Sequence, residues 1–595
     1  MRKLSDYVMD FLAAHGVKQV FMLPGGGAMH LDDSLGRHKK LQYVCFLHEQ
    51  ALAIAAEAFG QHTNTPGVGL VTSGPGSTNA ITGVAAGFID STPMFLLSGQ
   101  AKRSDLKGTT GVRQMGSQEV DIVSMVSCIT KYAATVMEPE KIRYHLERAW
   151  HEATTGRMGP VWLDIPLDVQ GSMIDETALD GYTPPEAVRP EIPVGEIAAL
   201  FERSRRPLLL VGNGAKLAGA AGRLADWARA NHVPMLTSWK TIDLLDGDDP
   251  LNFGCPGIMG TRAANFIVQN ADLLLVVGSR LDPSLTAFNS ADFGRNATKV
   301  MVDIDAAEIR KIKGINLSVV SDAAAFTDAL TGAGLHLPER KEWLAYCRGL
   351  KKSYPVVLPE YANQPDGVNL YRFTEELFRQ LKADDVIVPE SSGAAGEVTY
   401  QAMAVKKGQK IKNAAGLGSM GFGLPYSIGA CLANGRRRTV LINGDGAFQL
   451  NIQELETVVR LKLPVKMFIW DNSGYGSIMN TQRNMFAGFF VGSEPGSGLT
   501  LPDVTRQGSA YGMRTVEISS NAELERGIRE TLAGDDPVIC RVRITPSHVT
   551  APKVQAQKLP DGGMVSKPLE DMWPYLPAEE VARNMIAGSS GKDAE

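Results

Sequence analysis

The sequence predicts an α/β protein of three Rossmann-like domains, each built on a parallel sheet. Short apolar runs alternate with helix-period segments in three separate stretches, which is the rhythm of βαβ units. Two polar, proline-bearing segments divide those stretches, at 173–190 (MIDETALDGYTPPEAVRP) and at 338–366. The chain of 595 residues has room for about three or four domains of ordinary size. The domains are read as 1–172, 191–340 and 366–545, followed by a tail at 546–595.

In the first domain the expected elements are helix 4–15, strand 19–23, helix 29–37, strand 42–47, helix 49–60, strand 67–71, helix 77–88 and strand 94–98. Strand 42–47 runs into His48-Glu49, where an alanine-rich helix begins (EQALAIAAEAFG). A carboxylate on the first turn of a helix, at the carboxyl edge of a parallel sheet, stands where ligands bind. It is equally the ordinary place for a helix-terminal charge. Two glycine turns follow strands at the same edge, Pro24-Gly25-Gly26-Gly27 and Ser73-Gly74-Pro75-Gly76-Ser77-Thr78-Asn79. Glycines there let backbone approach a ligand closely.

The second domain opens with helix 194–203 and a strand ending in Gly212-Asn213-Gly214. Later strands end at Gly278-Ser279-Arg280 and at Asp305. The lone GNG turn lacks the full GxGxxG pattern of a dinucleotide site.

The third domain repeats the first: helix 369–381, strand 385–389, helix 393–404, the stretch GLGSMGFG at 416–423, and helix 424–434. An apolar run, Thr439 to Ile442, then ends in Asn443-Gly444-Asp445-Gly446. One crossover helix over 448–461 leads to a second run, Val465 to Trp470, that ends in Asp471-Asn472. Two parallel strands thus bring a carboxylate and a neutral carbonyl to one sheet edge, the donor set for a small divalent ion holding a diphosphate.

Composition bounds the function. Apolar content of 44% and charged content of 21% are those of a globular protein. A net charge of −5 without basic or acidic blocks argues against nucleic acid and polybasic membrane contact. The most apolar region, 67–99, is broken by Pro75, Asp90 and Pro93 and is no membrane span. Six scattered cysteines without a CxxC pair suit reduced thiols in a cytoplasm and no zinc site.

Gly444-Asp445-Gly446, 24 intervening residues and then Asp471-Asn472 resemble the thiamine-diphosphate motif. The order PGGG, HEQ, TSGPGSTN, GPVWLDIPLDVQ and GLGSMGFGLPYSIGA resembles the acetolactate synthase / pyruvate oxidase / benzoylformate decarboxylase superfamily. Acetolactate synthase large subunits are the nearest type.

The resemblance implies thiamine diphosphate and Mg2+ as cofactors. It implies a pyrimidine-binding first domain, a central domain and a diphosphate-binding third domain. The metal ligands would be Asp445, Asn472 and the Gly474 carbonyl. Gly444, Gly446 and Ala447 would lie against the diphosphate, with Ser391 and Ser392 standing where the family has Gly-Gln-His-Gln. Met420 would prop the cofactor in its bent form, and the Gly418 carbonyl would accept the pyrimidine amine. Glu49 would share a proton with a pyrimidine ring nitrogen. The family joins the first domain of one subunit to the third domain of another, so the active sites would lie between subunits of a homodimer or homotetramer. No feature of the sequence calls for a regulatory subunit.

The implied reaction is decarboxylation of a 2-oxo acid, pyruvate foremost, and ligation of the acyl unit to an acceptor. Alternatives are acetyl transfer to a keto nucleotide-sugar, or simple 2-oxo acid decarboxylation. Departures bear on that choice. Ser117 replaces the phenylalanine before Gln118-Glu119, and Leu569-Glu570-Asp571-Met572-Trp573 resembles the tails of a sugar-pathway subgroup. That tail would fold over the active site or lie in solvent. Gly26, His30 and Gln118 are the candidates for substrate contact. Trp239, Lys240 and Asp243 are bulky or charged where relatives place small residues along FAD, so the expectation is a middle domain without FAD.

Overall fold

The computed structural model describes all residues except 187–190, 546–547, 559, 561 and 587–595. The end of the first expected linker and parts of the expected tail therefore lie outside the described residues. The first domain carries a six-stranded sheet with the spatial order Gln42–Cys45, Gln19–Met22, Gly67–Val71, Met94–Gln100, Pro160–Pro166, Tyr132–Thr135. The third domain has the order Lys410–Ile411, Val386–Pro389, Thr439–Gly444, Val465–Asp471, Val538–Arg543, Arg514–Ile518. Counted along the chain, both orders are 2-1-3-4-6-5. All pairings within the two sheets are parallel. The middle domain has five parallel strands in the order 2-1-3-4-5. Central strands such as Gly67–Val71 and Met94–Gln100 are buried along their whole length, as parallel sheets covered on both faces require. In each sheet the order reverses between the first and third strands, so each domain opens one crevice at its carboxyl edge.

Helix Glu49–Thr63 links the first domain to the third. It packs against Ile81–Asp90 of its own domain and against Gly423–Ala433 of the third. Covered on both sides, it has little room for side chains, and Ala51 to Ala56 and Ala58 are buried. That is why its sequence is alanine-rich and not amphipathic. A Cβ on Gly429 would collide with the Ala55 carbonyl. At the root of the third domain's 416–421 loop, the Asn413 carbonyl accepts from Gln61 Nε2 (3.0 Å), Lys240 Nζ (2.5 Å) and the Tyr426 hydroxyl (3.3 Å). One acceptor thus receives a donor from each domain.

Three expectations are corrected. The crossover over 448–461 is no single helix but Asp445–Gln449, a 3-10 turn Ile452–Glu454 and Leu455–Arg460. Asn451 breaks it at φ +71°, because its side chain reaches the Gly421 carbonyl (3.0 Å) and Gln50 Oε1 (3.1 Å). The 338–366 linker contains the helix Lys341–Ser353, whose Trp343, Leu344, Cys347 and Leu350 are buried on one face. Finally, residues 569–573 do not cover the third domain's edge. Leu569 and Met572 are buried against the middle domain, beside Phe266 and Leu274. Asn265 Nδ2 donates to the Leu569 carbonyl (2.9 Å), and Glu570 pairs with Arg295 (2.5 Å).

Replacing Gly429 with alanine forces these two helices apart. Gly429→Ala is expected to destabilise the folded chain by about 1–3 kcal/mol in equilibrium denaturant unfolding. An unchanged midpoint would show that the interdomain contact yields freely.

Candidate active site

The third domain's crevice lies between strands Val386–Pro389 and Thr439–Gly444, whose ends deliver Glu390-Ser391-Ser392-Gly393 and Gly444-Asp445-Gly446. Asp445 is buried and takes three backbone N–H groups: Gly446 on Oδ1 (2.8 Å), and Asn472 and Gly474 on Oδ2 (both 3.2 Å). The Asn472 Oδ1 accepts from Gly474 N (3.3 Å). Asp445, Asn472 and Gly474 are thus drawn together, although they come from the ends of neighbouring strands.

Asp471 sits beside Asp445. Burial and the Asp471 carboxylate together push the Asp445 carboxyl upward. Asp471 itself is held by Arg541 Nε (2.5 Å) and accepts from Ser473 N (3.0 Å). A buried carboxylate with an adjoining carboxylate, an amide oxygen and a backbone carbonyl is an oxygen donor set suited to a hard divalent cation, which would relieve the repulsion. Among the described residues no cluster of three or more His, Cys, Asp or Glu suits a metal. The set here has an amide and a carbonyl in place of further acids.

Glycines clear the surrounding space. A Cβ on Gly446 would stand 2.5 Å from the Tyr475 ring and 3.7 Å from Met420 Cε, so Met420 reaches over the Gly-Asp-Gly turn. Met420 is 37% exposed although it lies in a glycine-rich loop at the heart of the chain. Gly418 holds φ +67°, next to the Ser391 carbonyl. The Ser419 hydroxyl is buried and unpartnered. Ser391 is buried, and Ser477 Oγ lies 3.2 Å from where Gly393 would carry a Cβ. Gly444 faces open space and Ala447 is buried beneath the turn. The loops at 391–393, 416–421, 444–447 and 472–477 therefore meet at one edge, with bare backbone and hydroxyls turned to it, a cradle fitting a diphosphate.

In the first domain Glu49 is 7% exposed at the start of its helix. Its Oε2 accepts from Asn79 Nδ2 (3.0 Å), and its Oε1 faces Gly76. His48 caps the helix, its Nδ1 accepting from Gln50 N (3.1 Å). The carboxyl is thus presented at the sheet edge with one oxygen fixed and the other facing glycine. Gly26 has open space before it. Gln118 is exposed at φ +58°, its carbonyl lying 2.5 Å from where Gly74 would carry a Cβ, so it borders this turn. The His30 ring packs on Gly171, which follows strand Pro160–Pro166, and its carbonyl accepts from Lys3 Nζ (3.5 Å). Asn79, Ser477 and Glu390 were not singled out from the sequence as site residues. Asn79 closes the glycine turn and Ser477 follows Asn472-Ser473-Gly474-Tyr475-Gly476, but only folding shows their partners.

A separate cavity of about 450 Å3 lies at the middle sheet's carboxyl edge, walled by Gly214, Gly278, Arg280, Asp303, Trp239 and Lys240. Trp239 stacks on Tyr400 at 4.8 Å, Lys240 pairs with Asp90 (2.7 Å), and buried Asp243 pairs with Lys216 (2.5 Å).

Two carboxyl-edge crevices of identical topology, one presenting a carboxyl and one an oxygen-lined diphosphate cradle, define an enzyme that works through a diphosphate cofactor. Comparison with known proteins makes this specific. Residues 2–125 match the N-terminal TPP binding domain of thiamine pyrophosphate enzymes, 194–330 the central domain and 392–542 the C-terminal TPP binding domain. The chain is 31% identical to the acetolactate synthase isozyme 2 large subunit of Escherichia coli, covering 96% of this chain and 99% of that protein. It is 30% identical to the acetolactate synthase large subunit of Cyanidium caldarium (93% and 94% covered) and 31% identical to the chloroplastic acetolactate synthase of Arabidopsis thaliana (91% and 81%). The chain belongs to the thiamine pyrophosphate-dependent enzymes of acetolactate synthase type.

Asp445 and Asp471 can be told apart. Asp445→Ala is expected to abolish Mg2+-dependent binding of thiamine diphosphate in calorimetric titration. Asp471→Asn, the family's usual residue, should keep affinity within about threefold, since Asp471 is engaged by Arg541. The reverse pattern would move the metal to Asp471.

Proposed function

We propose that this enzyme decarboxylates pyruvate and joins the acetyl unit to a second 2-oxo acid, as an acetolactate synthase. The carrying observation is the match of the whole chain to acetolactate synthase large subunits, with the buried carboxyl of Glu49 and the Asp445–Asn472–Gly474 donor set both intact. Transfer to a keto sugar is not favoured, since the chain matches acetolactate synthase large subunits over most of its length.

Bound thiamine diphosphate supplies the nucleophilic carbon and the electron sink that loss of CO2 requires. The protein supplies position and protons. Mg2+ on Asp445, Asn472 Oδ1 and the Gly474 carbonyl would anchor the diphosphate, with Ser391, Ser392 and the N–H groups of Gly444 to Ala447 around it. Met420 would support the ring system and the Gly418 carbonyl would accept the pyrimidine amine. Glu49, steadied by Asn79, would hold a proton against a ring nitrogen of the pyrimidine and return it during turnover. Gln118 and Gly26 border the space left for substrate.

A homodimer with shared sites is the assembly proposed. Beside the third domain's edge, Phe486, Phe489 and Val491 are 62%, 74% and 62% exposed, and beside Gln118 in the first domain Met115 is 55% exposed. Such apolar surface flanking two half-sites is suited to burial against a second copy. No described helix is long and apolar enough to cross a membrane, and a cytoplasmic location is proposed with the reduced cysteines as support. The engagement of Trp239, Lys240 and Asp243 supports a middle domain without FAD, and a flavin absorbance band in the purified protein would contradict that.

Purified enzyme given pyruvate, thiamine diphosphate and Mg2+ is expected to release CO2 and form acetolactate. CO2 release without acetolactate would replace ligation by simple decarboxylation. Glu49→Gln should retain cofactor binding yet lose at least about a hundredfold in turnover. Undiminished turnover would remove Glu49 from the mechanism.

A further inference from the structure

Glu390 stands at the end of strand Val386–Pro389 and is 1% exposed. Its backbone N–H continues the sheet onto the Ile442 carbonyl (2.9 Å), which sets it beside Asn443 and two residues from Asp445. Its Oε1 accepts from Ser391 N (2.9 Å) and its Oε2 from Gly423 N (3.1 Å). Those amides belong to different loops. Ser391 opens the serine turn, and Gly423 starts the helix that follows Gly418 and Met420. A single buried carboxyl therefore staples together two of the loops that form the cofactor cradle.

No cation balances it. Among the described residues Glu390 makes no ion pair. Asp385, at the far end of the same strand, is paired with Arg438 (2.6 Å). On the helix Ala394–Ala402, Glu397 takes the Thr550 hydroxyl (2.9 Å). Tyr426, on the helix starting at Gly423, donates to the Asn413 carbonyl (3.3 Å). Asp445, on the neighbouring strand, is occupied by its three N–H donors. Asn443 Nδ2 faces Gly423 beside Glu390 Oε2, where it helps to hold the ionised carboxyl.

We propose that Glu390 is a positioning residue of the cofactor site, tying the Ser391 turn to the helix after Met420 and taking up one proton from solvent as the anionic cofactor binds. The inference rests on reading this edge as the diphosphate site. Burial raises the Glu390 carboxyl to about 7, against the Ser391 and Gly423 amides and the Asn443 side chain that hold it down. An incoming diphosphate disfavours a second buried anion, so bound cofactor raises this carboxyl further. The sign follows from linkage: the contribution to affinity is complete below pH of about 7 and falls away as pH rises through it.

Thiamine diphosphate is titrated calorimetrically into the full chain with saturating Mg2+ between pH 6 and 8.5. The affinity of Glu390→Gln relative to wild type is expected to rise about tenfold across that range, because glutamine has no proton to take up. Glu390→Ala, which releases both loops, should bind at least about tenfold more weakly at every pH. A Gln-to-wild-type ratio that stays level with pH overturns the proton uptake even if the alanine variant fails to fold. Wild-type affinity in a folded Glu390→Ala overturns the staple. Asp445→Ala separates the two readings: if it binds normally with Mg2+, the assignment of the edge itself has failed.

Discussion

The Asp445 carboxylate is the point on which the third domain's edge turns. It accepts backbone N–H groups from its own turn and from the loop after the next strand. Those bonds fold the two loops around one buried negative charge. A buried carboxylate is costly unless it is paired or coordinated. Here the charge that pushes it upward is another carboxylate, Asp471, itself paired with Arg541, and a cation in the cradle would complete the balance.

Everything around that charge keeps space and angle for a second, larger group. Glycines at 418, 446 and 474 bring backbone close, while Met420 and Tyr475 supply bulk at chosen places. The first domain repeats the topology but ends in a single buried carboxyl, Glu49, steadied by Asn79. The two halves are joined by the alanine-rich helix behind Glu49 and by the Asn413 carbonyl, which gathers donors from all three domains. The middle domain therefore reaches the 416–421 loop through Lys240 at its root and through Arg280 beside Gly416.

The sequence made legible what local chemistry dictates. Apolar runs ending in Gly-Asp-Gly, Asp-Asn and glycine turns marked the carboxyl edges, and the alanine-rich helix marked an element covered on both sides. What stayed hidden depends on contacts between residues far apart in the chain. The break at Asn451 is set by Gln50 and Gly421. The apolar spacing of Val554, Leu569 and Met572 has meaning only against the middle domain. Glu390 reads as an unremarkable turn acid until Gly423 arrives beneath it.

The central claim is that one metal ion, held by Asp445, Asn472 and Gly474, joins this chain to thiamine diphosphate. A crystal structure of the enzyme soaked to saturation with thiamine diphosphate and Mn2+, with anomalous scattering to place the metal, tests it most directly. The account predicts one anomalous peak within coordination distance of Asp445, Asn472 Oδ1 and the Gly474 carbonyl, with the diphosphate on its far side. A metal placed elsewhere, or a saturated cofactor bound away from this edge, would contradict it.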